Sequence, residues 1–429
     1  MKKENSIDNN TFDADRLFNY VKNFSFPRLA GTSGEKKAAA LTIETFQNIG
    51  FNDSQIYKEP FKFSDFYSTT LIKLIMVINL TFSLFILMFA YINLFFTIFV
   101  CGIMALIVLL IFKGLKHPEN PGFWGEYYGK TISASNVFVK LPSRNLPTKV
   151  AGNIIISAHL DSKSQTFKTF WRVFFYRVWL YSGIFLGIFF IILFIRTYTT
   201  IRINLIFVGT SIWIFTVLIS ISNIFLLFLN THNKSPGALD NASGMAIVFE
   251  LSRYFKDNPL HNFNIWFCQF SAEELGTMGS RVFVNNHEGE FIKGRTFHIN
   301  LDMISCACRP QNRIEYLKSY GVVPRKKIAP LLSKYLDNAS IEENMKITGF
   351  HLSTGAHTDS VPFHLRGYDS VDIVTRVSGR YTHSKLDTPD KVDSWVLLEA
   401  CVLIKRVIIS LDKDYNILCK DKELLCDID

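Results

Sequence analysis

The chain has 429 residues, 48% of them hydrophobic, with 40 phenylalanines and a formal net charge of +9. That length fits two or three domains or one large α/β enzyme, and an apolar excess gathered into two blocks argues against an ordinary soluble globule. The positive charge favours contact with anionic lipid headgroups and gives no basis for nucleic-acid binding, while seven cysteines, an odd count without framework spacing, fit a reducing compartment.

From the N-terminus, Phe12 to Phe51 reads as helix, with Leu17, Tyr20, Val21 and Phe24 on one face until Pro27 interrupts. A second helix over about Gly34–Ile49 closes on Gly50. A strand begins at Phe61-Lys62-Phe63 and is cut by the first apolar block, Leu71 to Phe112, whose one charge is Lys73. This block is long enough for two spans of about 20 residues each, bending at Ala90–Asn93. Ser135 to Pro142 alternates as a strand. The run Asn153 to Ser162, N-I-I-I-S-A-H-L-D-S, has no polar face before its end, so it reads as a strand buried in a parallel or mixed sheet. It delivers His159 and Asp161 at its carboxyl end, where open α/β sheets build their sites.

The second block, Val173 to Leu229, holds spans over about Val178–Ile195 and Ile203–Leu229, joined by the polar link Arg196–Arg202. Buried helices of a soluble core keep a polar face, and these do not. We therefore expect an integral membrane protein with four spans in two hairpins, each returning the chain to its starting side. The shared side carries Lys62, Lys73, Lys113, Lys116, Lys163, Lys168, Arg172 and Lys234 near the spans, against Arg196 and Arg202 on the other, which predicts a cytoplasmic catalytic domain. The opening M-K-K-E-N-S-I-D-N-N is followed by no apolar run, so no cleavable signal is expected. The expected organisation is one α/β domain of mixed, mainly parallel sheet flanked by helices. It runs over residues 1–70 (N-terminal helices and first strand), 113–172 and 230–429, with transmembrane hairpins inserted at 71–112 and 173–229.

Beyond the second hairpin, S-P-G-A-L-D-N-A-S-G from Ser235 is a tight turn opening an amphipathic helix, able to hold Asp240 beside a cation with Ser243 capping the helix; a plain helix N-cap is the simpler reading of the same residues. Asn264 to Ser271 is a buried strand ending in Glu273 and Glu274, adjacent carboxylates that repel unless neutralised. Phe297 to Asp302 is another strand with an acid at its end, and Tyr381 to Asp390 places His383 in a polar loop before a closing helix at Val392–Leu411.

The series H-L-D-S, G-A-L-D-N-A-S-G, S-A-E-E-L-G, N-L-D-M and Y-T-H-S-K-L-D-T-P-D resembles the M28 family of zinc peptidases, co-catalytic aminopeptidases and their relatives. The match begins weakly at Pro27-Arg28-Leu29-Ala30-Gly31-Thr32 and extends to about Arg406. His159 and Asp240 are 81 positions apart, and without the 63 residues from Lys168 to Asn230 the interval is 18, similar to the soluble members. The resemblance implies a zinc exopeptidase-like fold and two zinc ions. Asp240 would bridge them, His159 and Asp302 would complete one site, and Glu274 and His383 the other. It also implies Glu273 as general base, Asp161 as the acid orienting the first histidine, and a cis peptide at Asp240-Asn241.

The implied activity is that of a membrane-anchored aminopeptidase acting on peptides. A carboxypeptidase, a glutaminyl cyclase and a non-catalytic membrane scaffold or chaperone are the alternatives. The segment Gly355 to Phe363 departs from the family's S-D-H-x-x-F, with Thr358 for serine and no histidine after Asp359, which puts substrate contacts in doubt rather than metals. His298, His351, His357 and His364 fall on no family position and read as structural, and Cys306 and Cys308 as ordinary thiols.

Overall fold

A computed structural model describes residues 11–68, 70–114, 129–307, 313–321, 325–353 and 358–423. Lys116, Cys308, Gly355, Ala356 and His357 lie outside the described residues. The chain divides into an α/β unit, Met1–Phe63, Ile132–Ser164 and His232–Asp429, and a helical unit, Ser64–Thr131 and Gln165–Thr231.

In chain order, α1 (Ala14–Phe24) starts on Asp13, whose carboxylate accepts the N–H groups of Asp15 and Arg16, and it buries Leu17, Val21 and Phe24. The next helix, α2 (Ser33–Ile49), stops where Gly50 takes a φ of 100°. Strand β1 (Ile56–Ser64) begins five residues before the expected Phe61. It is the edge strand of its sheet, and exposed Lys58, half-buried Glu59 and Pro60 break the alternation that would have announced it. Helices α3 (Thr70–Ile92) and α4 (Leu94–Gly114) follow, broken at Asn93. Then come β2 (Thr131–Leu141) and β3 (Gly152–His159).

Helices α5 (Thr169–Tyr198) and α6 (Leu205–Leu227) complete the helical unit. The expectation that the third span starts at Val178 is corrected: helix α5 begins nine residues earlier, because Arg172 and Arg177 end the apolar run without ending helical backbone. These four helices are long and apolar enough to cross a membrane. Their outward residues include Ile92, Phe99, Leu109 and Ile206, exposed by 69, 67, 66 and 80%. Inside the unit, Oδ1 of Asn79 on α3 accepts from Nδ2 of Asn223 on α6 at 2.7 Å and from the indole of Trp179 on α5 at 3.3 Å.

The α/β unit continues with α7 (Ser243–Asp257), β4 (Phe263–Phe270), α8 (Met278–His287), β5 (Thr296–Leu301) and β6 (Glu315–Tyr320). It closes with α9 (Pro330–Glu342), β7 (Thr348–Leu352), α10 (Ser360–Leu365), β8 (Asp369–Val374), α11 (Ser394–Lys413) and α12 (Tyr415–Glu423). The strands form one mixed sheet in the order β1-β2-β4-β3-β5-β8-β6-β7. Its centre is parallel: β3 pairs β4 and β5, and β5 pairs β8, all in the same direction.

Alternate residues of the central strands feed two cores. Ile154, Ile156, Ala158, Ile265 and Phe267 meet α1, α2, α7, α9 and α11 on one face; Ile155, Trp266, Cys268 and Phe270 meet α8 and α10 on the other. The fold is thus the expected α/β class, a mainly parallel sheet covered on both faces. Phe249 of α7 joins three helices, with its ring 5.4 Å from Phe24, 5.1 Å from Phe46 and 5.4 Å from Tyr20. Phe249→Ala is expected to lower unfolding free energy by about 4 kcal/mol, from lost burial plus the cavity. Chemical denaturation in detergent micelles measures it, and a loss below about 1 kcal/mol would show that these helices repack.

Candidate metal centre

The register of the central strands gathers the acids at one edge. His159, the last residue of β3, pairs with Phe270 of β4, and Ser157 pairs with Asn300 of β5. Glu273 and Glu274 therefore emerge beyond β4 on one side of His159, and Asp302 beyond β5 on the other. The chain passes from β3 to β4 on one flank and then to β5 on the opposite flank. The position is a topological switch point, where loops diverge and leave room for a site.

Two buried donor sets meet here. His159, Asp240 and Asp302 form one and Asp240, Glu274 and His383 the other, with the donor atoms of each set within 4.8 Å of one another. Nε2 of His159 lies 3.1 Å from Asp240 Oδ1 and 3.4 Å from Asp302 Oδ1, while Nε2 of His383 lies 3.1 Å from Asp240 Oδ2 and 3.2 Å from Glu274 Oε2. Asp240 thus turns one oxygen to each set. Nε2 of His159 and Oδ1 of Asp302 are buried and have no hydrogen-bond partner among the described residues. Donors that converge without satisfying one another are what a cation satisfies.

Glu273 is half-buried beside these sets. The Asp161 carboxylate accepts the N–H groups of Glu273 and Glu274 at 3.1 and 3.3 Å, and lies 3.6 Å from Nδ1 of His159. Nδ1 is nearer to the Asp161 backbone carbonyl, at 3.1 Å.

The loop that presents Asp240 is gripped from both ends of its peptide dipoles. Arg28, fully buried, donates through Nη1 to Pro236 O at 2.6 Å and Phe24 O at 2.7 Å. It also donates through Nη2 to Gly237 O at 2.8 Å and through Nε to Leu160 O at 2.7 Å. The Asp387 carboxylate accepts the N–H groups of Leu239 and Asp240 at 2.6 and 3.2 Å. Gly237 has a φ of 66°, and a Cβ there would lie 2.6 Å from Asp240 O and 2.7 Å from Arg28 Nη1, so only glycine fits. The Asp240-Asn241 peptide is cis. The expectation that Ser243 caps the following helix is corrected: its hydroxyl donates to Leu239 O, and Asn241 Oδ1 accepts the Gly244 N–H instead.

Electrostatics follow from crowding. Burial alone would raise Asp240, yet His159 and His383 hold its carboxyl well below the usual range. Burial works against charge on His159 too, but Asp161, Asp240 and Asp302 push it well above an ordinary histidine. Burial raises Asp302, and it raises Glu273 strongly. Glu274, despite burial, is brought down to about 2 chiefly by the Lys163 ammonium. Burial lowers Arg28 to about 10 and raises Asp359 and Asp387 each to about 7.

All seven site residues expected from sequence lie in this one region. Arg28, Lys163 and Asp387 are the participants that sequence reading left without a role, although each sits inside a quoted motif or directly beside one. His298 lies apart, bonded to Ser157 through Nε2 and to Ser370 through Nδ1, each at 2.8 Å, and His351 bonds Ser319. His298 is thus satisfied at both ring nitrogens, and neither histidine belongs to the donor sets.

Residues 227–407 match the family model described as Peptidase family M28. The chain is 30% identical over 142 residues to aminopeptidase YwaD of Bacillus subtilis, a match spanning 33% of this chain and 29% of that protein. It thus spans under a third of the curated relatives it matches. Among solved structures it resembles BSAP, a zinc aminopeptidase from Bacillus subtilis, with a TM-score of 0.52 at 14% identity, covering 93% of this chain and 95% of that one. It also resembles a glutaminyl cyclase from an Acidobacteriales bacterium, with a TM-score of 0.50 at 14% identity over 94% and 95% of the two chains. At such identity the structural likeness is one of fold.

Arg28 provides a test of the loop clamp. Arg28→Met strips donors from the Leu160, Pro236 and Gly237 carbonyls and leaves Asp387 without its nearby cation, so stability is expected to fall by about 3–5 kcal/mol. Thermal unfolding in detergent measures the loss, and an unchanged transition would show that the loop holds itself.

Proposed function

Because residues 227–407 match peptidase family M28, we propose that the chain is a membrane-anchored zinc aminopeptidase, releasing residues from the amino end of peptides. The observation that carries this reading is the convergence of two buried donor sets on one shared carboxylate, Asp240, with a further acid, Glu273, alongside. His159, Asp240 and Asp302 would hold one zinc ion and Asp240, Glu274 and His383 a second, since mixed nitrogen and oxygen donors suit zinc. Bound zinc supplies Lewis acidity that polarises a peptide carbonyl and acidifies water.

The remaining work belongs to the chain's own groups. Glu273 takes the proton of the attacking water at its carboxylate and returns it to the leaving amine. Asp161 keeps Glu273 and Glu274 aimed by holding both of their N–H groups. Arg28 and Asp387 fix the backbone from which Asp240 reaches both sets.

In this reading residues 1–70, 113–172 and 230–429 form one peptidase domain, interrupted by membrane hairpins at 71–112 and 173–229. Helix length and composition support the hairpins, and the lysine-rich flanks support a cytoplasmic domain.

An assay on peptides with free and acetylated amino termini tests the activity, with N-terminal glutaminyl peptides included because a glutaminyl cyclase shares the fold. Release of the first residue from free termini alone, abolished by a chelator and restored by zinc, is the expected result. Cyclisation with loss of ammonia, or no turnover, would replace the reading. Glu273→Gln is expected to lower turnover about 10³-fold with zinc still bound, and near-normal turnover would remove Glu273 from its role. For topology, tags at Lys36, Lys140 and Lys327 should all be protected from protease in sealed right-side-out membranes. Cleavage at all three reverses the orientation, and cleavage at one alone refutes the hairpins.

A further inference from the structure

A cavity of about 470 Å³ opens in the α/β unit, walled by the first turn of α2 and by the edge strands β1 and β2. Its wall carries one acid, Glu35, and three lysines, Lys36, Lys58 and Lys62, with Pro60 and Ala134 among them. The charges are layered. The lysines are exposed and form no ion pair among the described residues, whereas Glu35 is only 2% exposed. Lys58, Pro60 and Lys62 take alternate positions of β1 and so share one face of it. Glu35 is held in place from behind: its Oε1 accepts the Ser271 hydroxyl at 2.9 Å and the Ser135 N–H at 3.1 Å. Its Oε2 accepts no hydrogen bond among the described residues. Burial pushes this carboxyl above the usual range, so a further cation at Oε2 is what would favour its ionised form. None of the four charged residues belongs to the two donor sets.

We propose that this cavity binds the ethanolamine phosphate headgroup of an aminophospholipid, with the ammonium on Glu35 and the phosphate among Lys36, Lys58 and Lys62. The order of charges selects this ligand. Entering ammonium first, with its anion a short carbon link behind, it meets the acid in the wall and the lysines at the rim together. A simple anion would leave Glu35 unanswered, and a simple cation would face three like charges. A choline headgroup has the same net charge but no N–H to donate to a carboxylate. Phosphate on lysine is a charge-assisted contact, and basic pockets beside membrane helices suit headgroups. The lipid as source rests on the membrane-anchored reading above. Lys62 stands eight residues ahead of Thr70, where α3 begins, a tether of at most about 28 Å.

The test is a calorimetric titration of full-length protein in micelles of an uncharged detergent. The probes are dihexanoyl phosphatidylethanolamine, the matching choline and glycerol lipids, and free phosphoethanolamine. The ethanolamine lipid should bind at least about tenfold more tightly than the choline lipid, and more tightly than phosphoethanolamine, which is not concentrated at the micelle surface. Lys58→Glu with Lys62→Glu should weaken it by about tenfold or more, and Glu35→Gln should erase its advantage over the choline lipid. If Glu35→Gln does not fold, the lysine pair and the comparison of lipids still decide. Equal binding of the ethanolamine and choline lipids, tighter binding of the glycerol lipid, or no response to the lysine changes would overturn the headgroup assignment. Phosphoethanolamine binding as tightly as its lipid would overturn the lipid as source. The titration uses neither peptide nor zinc, so its failure leaves the peptidase reading standing, and absence of peptidase turnover leaves this site standing.

Discussion

Mutual repulsion among Asp161, Asp240, Glu273, Glu274 and Asp302 is the constraint around which the α/β unit is arranged. Carboxylates brought this close in a poorly solvated place are compatible with folding only when positive charge or hydrogen-bond donors answer each of them. The chain answers with two histidines, Lys163, the buried Arg28 and a set of backbone N–H groups, and the two donor sets keep room for cations. The strain is visible in the backbone: Ala272, Met303 and His383, each at or beside a site residue, take positive φ values of 58, 50 and 59°. Non-glycine residues keep that conformation only where their surroundings over-determine it.

That over-determination comes from the sheet. The central strands are buried on both faces, so their register leaves no freedom, and the ends of β3, β4 and β5 are set relative to one another by main-chain pairing. The long interval between His159 and Asp240 falls wholly in the connection from β3 to α7, so no strand pairing is disturbed by it. Arg28 then ties the end of β3 to the loop before α7 by donating to carbonyls of both. Segments distant in sequence are thereby placed to within a hydrogen bond of each other. A lysine could not do this, having one ammonium where the fork of a guanidinium is needed.

In the helical unit the physics is inverted. Outward positions are apolar, and the polar contacts are inside, where Asn79, Asn223 and Trp179 join α3, α5 and α6. Among apolar helices there is little hydrophobic gain from association, so polar contacts of this kind set which faces meet. Asn79 Oδ1 accepts from both Asn223 and Trp179, while Asn223 Oδ1 is buried with no hydrogen-bond partner among the described residues. The link draws on the first hairpin through Asn79 and on the second through Trp179 and Asn223.

Much of this was legible in the sequence for local reasons. Four long apolar runs need no tertiary context to be read as helices, and unbroken β-branched or aromatic runs ending in His159, in Glu273 and Glu274, or in Asp302 announce buried strands with chemistry at their carboxyl ends. The edge strand β1 and the start of α5 escaped because charged or proline residues broke the apolar pattern while the backbone conformation went on. The helix cap was assigned to Ser243 when Asn241 does the work, since which of two nearby polar side chains turns back is decided by the loop around them. Only the tertiary structure decided that Asp240 faces both donor sets, that Arg28 and Asp387 hold its loop, and that Lys163 leans on Glu274. Lys163 and Glu274, Leu239 and Asp387, and Arg28 and Gly237 lie 111, 148 and 209 positions apart. Spacing along a chain carries no record of contacts that exist only once the strands have paired.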